Sequence, residues 1–173
     1  MLAVEEVMKI PSLPGVAVPK VLNSRPARPC LVVTVPGTPR PQGSLRIIQS
    51  RSTGKAFAKN SDTTIEHRNL VTTIMAEKWG SRDMLRGPIA ARMVFRFARP
   101  KSHFGTGKNA EKLKDSAPSR HIRTPDTDKL VRLVDDALVA AGVINDDSQV
   151  CLLRAEKEWQ DNRSESVIEV FEL

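Results

Sequence analysis

Six aspartates fall within residues 124–147, at Asp126, Asp128, Asp135, Asp136, Asp146 and Asp147, against only Lys129 and Arg132. Carboxylates gathered in one place repel one another unless a hard divalent cation lies among them, and oxygen ligands of this kind suit Mg²⁺ or Mn²⁺. A cation so held can grip a non-bridging phosphate oxygen, lower the pKa of a bound water and offset charge on a leaving 3′-oxygen. The chemistry indicated is metal-assisted phosphodiester hydrolysis, with Arg132 available to steady the phosphate. Singly, each aspartate has a plainer explanation, because Asp is a common helix cap and Asn145-Asp146-Asp147 a common turn.

Local structure decides whether these carboxylates meet. Pro125 favours an extended or turn conformation before it, and Leu130, Leu133, Val134, Ala137, Leu138 and Ala141 then recur at helical spacing until Gly142 offers a stop. A helix of about 14 residues starting at Thr127 or Asp128 follows. Asp128 and Arg132, four apart, share a face of that helix, with Asp135 and Asp136 one turn further on and Asp126 just before it. A turn through Val143-Ile144-Asn145 can fold back and carry Asp147 toward the helix N-terminus.

Other chemistries find no support. An EF-hand starting at Asp126 needs Gly and Glu where Val131 and Ala137 stand. No Asp-x-Lys or Glu-x-Lys occurs in the chain, so that nuclease pattern is absent, and no serine motif is recognisable. His67, His103 and His121 have no mutual ligand spacing, although His121 lies where it can reach a phosphate. Cys30 and Cys151 have no CxxC partner, which argues against a zinc site or a disulfide framework and reads as two small buried apolar residues.

The elements that must position the aspartates are legible around them. The 173 residues, 40% hydrophobic and 27% charged, suit one globular domain. Residues 30–37 (CLVVTVPG) read as a strand closed by Pro-Gly, and residues from about 62 to 79 as a scaffold helix. That helix has Ser61 or Asp62 as N-cap, apolar Ile65, Val71, Ile74 and Met75, and Gly80 at its end. Residues 88–98 alternate, with Ala91, Met93, Phe95 and Phe97 on one side and Arg92, Val94 and Arg96 on the other, as in a central strand. Residues 149–159 and 166–173 read as a terminal antiparallel hairpin. No run of roughly 18 apolar residues is present for a membrane span, and Glu5 and Glu6 stand where a signal peptide would be apolar, so a cytoplasmic location is expected.

Charge is unevenly spread over a net +7. Residues 37–59 hold Arg40, Arg46, Arg51, Lys55 and Lys59 and no acid. Residues 99–123, poor in periodic apolar positions, form a basic loop with Arg99, Lys101, Lys108, Lys112, Lys114, Arg120 and Arg123 against Glu111 and Asp115. The acidic segment thus lies between basic flanks, an arrangement suited to a polyanion. Residues 1–29 carry five of the twelve prolines and read as a Pro-rich, mostly extended N-terminal arm with room for a short helix over 3–9.

The run Pro125-Asp126-Thr127-Asp128-Lys129-Leu130, followed by Asp136-Ala137-Leu138, Gly142 and Asp146-Asp147-Ser148-Gln149-Val150, resembles the signature of RusA-type Holliday junction resolvases. The similarity extends to Val35-Pro36-Gly37-Thr38-Pro39-Arg40-Pro41-Gln42-Gly43 and to Lys157, and so covers roughly residues 30 to 173. It implies a small homodimeric α+β enzyme, frequent in phage and prophage genomes, that cuts four-way DNA junctions with Mg²⁺. By the same resemblance Asp126, Asp128 and Asp147 are the metal-binding catalytic carboxylates. Two positions depart from the family pattern: Lys129 stands where Asn is usual, and Arg132 where Lys is usual, keeping charge without the compact ammonium.

The expectation is therefore a single α+β domain over 30–173, a mixed β-sheet with helices on one side, dimerised so that two sites face branched DNA. Asp126, Asp128, Asp147 and Arg132 carry catalysis with Mg²⁺ or Mn²⁺ and no small-molecule cofactor. Arg40, Arg46, Lys101, Arg120, Arg123, Lys129 and Lys157 hold the phosphate backbone, mostly without reading bases. The rival readings are a junction- or fork-binding protein that does not cleave, and a nuclease acting on flaps or replication forks.

Overall fold

A computed structural model describes residues 28–43, 46–49, 56–59 and 62–173. The expected short helix at 3–9 and nearly all of the N-terminal arm lie outside the described residues, as do Arg51, Lys55 and Ser61. In chain order the elements are β1 (Leu31–Pro36), β2 (Arg46–Gln49), β3 (Ala56–Lys59), α1 (Asp62–Trp79), β4 (Ile89–Ala98), α2 (Thr127–Ala140), β5 (Val150–Gln160) and β6 (Glu165–Glu172). β2 and β3 pair antiparallel as a separate ribbon, inside the basic, acid-free segment 37–59.

The main sheet has the order β1-β6-β4-β5 and is mixed, with β4 parallel to β5 and antiparallel to β6, and β6 antiparallel to β1. β4 is central, as its alternation predicts. The terminal hairpin is not formed, because β4 lies between β5 and β6. The sheet's interior goes to β4 and β6, whose Met93, Phe95, Ile168 and Val170 are fully buried. The charge-rich β5 is left at an edge, where Arg154, Glu156, Lys157 and Glu158 suit a strand with one unpaired side.

Both helices pack on one face of this sheet. Val71, Met75 and Trp79 of α1 and Leu130, Leu133, Val134, Ala137 and Leu138 of α2 join Leu31, Val33, Val35, Met93, Phe95, Ile168 and Val170 in one core. Full burial of such side chains contributes about 1.5–3 kcal/mol each. On the opposite face Arg92 bonds Glu169 at 3.0 Å, and Arg96 bonds Glu165 at 2.9 Å and Glu158 at 3.2 Å, with Val94 buried between the two arginines.

Where β5 begins, the register shifts between Ile89 and Ala90, so Val150 and Leu152 find partners and Cys151 does not. Cys151 is exposed, contrary to the expectation of burial, as are Leu152 and Leu153 after it on this edge strand, whereas Cys30 is partly buried and its thiol donates to the Val170 carbonyl at 3.2 Å. Among the described residues no helix is long and apolar enough to cross a membrane.

α2 ends where Gly142 adopts φ +69°, which turns the chain so that Val143 and Ile144 enter the core and Asp146 and Asp147 return alongside the helix. A Cβ at Gly142 would meet no atom within 4 Å, so any cost of adding one is conformational alone. Gly142→Ala is expected to lower stability by about 1–2 kcal/mol in urea unfolding; an unchanged midpoint would contradict this account of the turn.

Candidate active site

The N-terminus of α2 is held from two sides. From the sheet, the Lys157 ammonium donates to the carbonyls of Arg123 and Pro125, each at 2.8 Å. From the other side, the turn after β1 docks along the helix: Gln42 donates its backbone N–H to the Lys129 carbonyl at 2.8 Å and its side-chain amide to Asp136 at 2.8 Å. These bonds give physical roles to two signature residues, Gln42 and Asp136, that the sequence left without chemistry. They also place Lys157, expected on DNA, as a strap beneath the helix.

Asp126 is the N-cap of α2 but makes no side-chain cap bond. Its carboxylate pairs with Lys129 at 2.9 Å, and that hydrogen bond, then the Lys129 charge, holds its pKa below the usual carboxylate value. Asp126 and Lys129 line an open cavity of about 450 Å³ shared with Arg40, Phe97, Pro39 and Pro125. Asp128 faces a second open cavity, also about 450 Å³, together with Arg132, Asp135, Val131, Leu153 and Ala155. The two aspartates of the motif thus line two different cavities at the helix entrance.

Asp147 begins a single 3-10 turn, Asp147–Gln149, that packs against α2. The turn is closed by Asp146, which accepts from the Ser148 N–H at 2.9 Å, and by Gln149. The Gln149 amide oxygen accepts from the backbone of Asn145 and Asp146, and its NH₂ donates to the carbonyls of Leu85 and Gly87. Asp146 is therefore engaged in shaping the turn, and the bond from Ser148 lowers its pKa.

Asp135 links the parts. One of its carboxylate oxygens is buried without a hydrogen-bond partner, and its pKa is pushed up to about 6, first by burial and then by the charges of Asp147 and Asp136. The returning turn packs against α2, with Asp147 near enough for its charge to act on Asp135. Asp135 follows Arg132 by three residues and Asp128 by seven, so its share in that helix face was readable from spacing; its burial was not.

The cation that the motif implies needs hard oxygen donors. Asp128, Asp135 and Asp147 offer oxygen atoms alone, and the orphaned Asp135 oxygen is one that a cation would satisfy, so the donor chemistry fits Mg²⁺ or Mn²⁺. Among the described residues no three His, Cys, Asp or Glu side chains already stand together as an ion-holding group. Asp126, Asp128 and Asp147 are exposed, Asp126 in its pair with Lys129.

The basic flank is ordered around a ring cluster. His121 is 7% exposed, its ring tilted against Phe97 at 4.0 Å and Trp159 at 4.3 Å, while His103 meets Trp159 edge-on at 4.9 Å. Burial, then the charge of Lys157, lowers the His121 pKa, and its ring serves packing rather than a phosphate. Trp159 donates to the Arg120 carbonyl at 3.0 Å. Arg120 and Arg123 are exposed on this segment, Lys101 is exposed at the start of a 3-10 turn, and Arg46 lies on β2.

Together these features define a two-layer α+β domain whose acidic helix is flanked by exposed cations, a surface suited to phosphate-bearing polymers. A family model described as endodeoxyribonuclease RusA matches residues 36–170. The chain belongs to this family of endodeoxyribonucleases. None of the curated proteins matches it.

The raised pKa of Asp135 has a definite sign for stability. A carboxyl shifted up from 3.8 to about 6 on folding contributes stability that is complete below about pH 4 and lost as pH rises through about 6. In EDTA, Asp135→Asn should therefore stabilise the protein at pH 8 by about 1–2 kcal/mol, allowing for the solvent that reaches the group, and flatten its profile between about pH 4 and 6. Parallel urea-unfolding profiles for the two proteins would contradict this.

Proposed function

We propose that the protein is a Mg²⁺-dependent, structure-selective endodeoxyribonuclease that resolves four-way DNA junctions by paired phosphodiester hydrolysis in recombination and repair. The observation that carries the reading is the placing of Asp128, Arg132 and Asp135 around one open cavity, with Asp147 beside them, in a chain of an endodeoxyribonuclease family. Asp128 and Asp147, with Asp135 beside them, would hold the metal, and Asp126 would join them by leaving its pair with Lys129, with Mn²⁺ able to replace Mg²⁺. When bound, the metal supplies a water of lowered pKa and offsets charge on the leaving oxygen.

The chain's own groups do the rest. Arg132, exposed on the rim of the Asp128 cavity, presents a guanidinium to phosphate oxygens. Arg40 and Lys129 line the neighbouring cavity and draw in the backbone of the same strand. Lys101, Arg120 and Arg123, together with Arg46 of β2, would hold further phosphates of the backbone, while Lys157 supports the helix entrance. A homodimer would present two such sites, one for each incision, in the cytoplasm of a bacterial or phage-infected cell. One observation favours a junction- or fork-binding protein without cleavage: the Asp126–Lys129 pair neutralises a motif carboxylate.

The test is cleavage of a labelled four-way junction, a flap and plain duplex, in Mg²⁺ or EDTA. Native protein is expected to make symmetric, metal-dependent cuts on the junction. Asp128→Asn should abolish them while binding survives, since a negative charge beside phosphate is removed. Tight binding without cuts in either Mg²⁺ or Mn²⁺ would establish the non-cleaving role, and cuts confined to the flap would make the enzyme a flap nuclease.

Two further outcomes follow from the cations. Arg132→Ala is expected to slow cleavage about a hundredfold or more, with Arg132→Lys retaining most activity. Junction affinity should fall about 10³-fold between roughly 50 and 200 mM salt, and a flat response would contradict phosphate-dominated binding.

A further inference from the structure

Ile122 is 78% exposed, the most exposed large hydrophobic side chain among the described residues. Scattered surface hydrophobics are ordinary, but this one stands on a backbone fixed on both sides. Before it, the Arg120 carbonyl accepts from Trp159, and His121 is inserted between Phe97 and Trp159. After it, the carbonyls of Arg123 and Pro125 are held by Lys157. With His121 anchored inward, the Ile122 side chain is left standing outward between two exposed arginines, Arg120 and Arg123, four residues before Asp126.

A β-branched side chain on a fixed backbone has little rotamer freedom left to lose on contact. Flanking guanidiniums can take the phosphates on either side of whatever it touches. Linear duplex shields its base-pair faces by stacking; a branch point exposes them. Apolar side chains inserted at such steps are a recurrent means of holding unstacked DNA. We propose that Ile122 is a wedge that packs on open base-pair faces at a branch point, so that it separates branched from linear DNA. The proposal rests on the DNA-nuclease reading and names the residue that sets its substrate class.

The experiment uses the full chain with Ca²⁺ in place of Mg²⁺, a four-way junction carrying 2-aminopurine at its centre, and a duplex of equal length. Native protein should prefer the junction and raise the 2-aminopurine fluorescence. Ile122→Ser should lose the fluorescence rise and lower the junction-to-duplex affinity ratio about tenfold, whereas Ile122→Leu should keep both. Thermal midpoint and molar mass in solution should stay unchanged, because the side chain makes no core contact.

An Ile122→Ser protein with native preference and native fluorescence would overturn the wedge while leaving the nuclease reading intact. A change in molar mass would overturn it by placing Ile122 between copies of the chain. Failure of the native protein itself to prefer the junction would overturn both.

Discussion

The Lys157 ammonium, held between the carbonyls of Arg123 and Pro125, is the interaction on which the rest of the candidate site depends. It joins the edge strand β5 to the extended segment entering α2, and so sets where Asp126, Asp128 and Ile122 stand relative to the sheet. Hydrogen bonds from a charged donor are worth about 1.5–3 kcal/mol net, enough to hold a loop that has few apolar contacts of its own. Trp159, two residues along β5 and on the same face, repeats the strategy by bonding the Arg120 carbonyl and receiving His121 against its ring. A basic segment that would otherwise be mobile is thereby fixed beside an acidic helix.

Electrostatics then sets the character of the site. Like charges are brought together on α2 and on the turn after it, and the strain of that arrangement collects at Asp135, the most buried of them. Opposite charges stand one layer further out, where Lys129 meets Asp126 and the arginines face solvent. Such a site resists anions until its carboxylates are neutralised, then offers a ring of donors to a phosphate backbone.

Much of this was legible in the residues. The apolar spacing from Leu130 to Ala141 marks a helix, and α2 runs over Thr127–Ala140 because tertiary packing agrees with that period. β4 alternates as a central strand does, and its buried positions follow that alternation except at Val94, which the arginines on either side enclose. Strand pairing was less legible, since β5 and β6 are adjacent in sequence but β4 competes for both and takes the places between them. The exposure of Cys151 was not legible, because the apolar run Val150–Leu153 reads as buried until the strand order puts it at the sheet edge. The roles of Lys157, Gln42 and Gln149 were hidden for a similar reason: each bonds to backbone carbonyls or N–H groups, or to a side chain distant in sequence, and spacing shows none of these partners.

The central claim is that the carboxylates on α2 and the following turn form one divalent-cation site. Its most direct measurement is paramagnetic broadening by Mn²⁺ in the ¹⁵N-labelled protein without DNA. Broadening should centre on Asp128, Asp135 and Asp147 and be lost when Asp128 and Asp147 are both replaced by Asn. Broadening centred elsewhere, or unaltered in the double variant, would contradict the account.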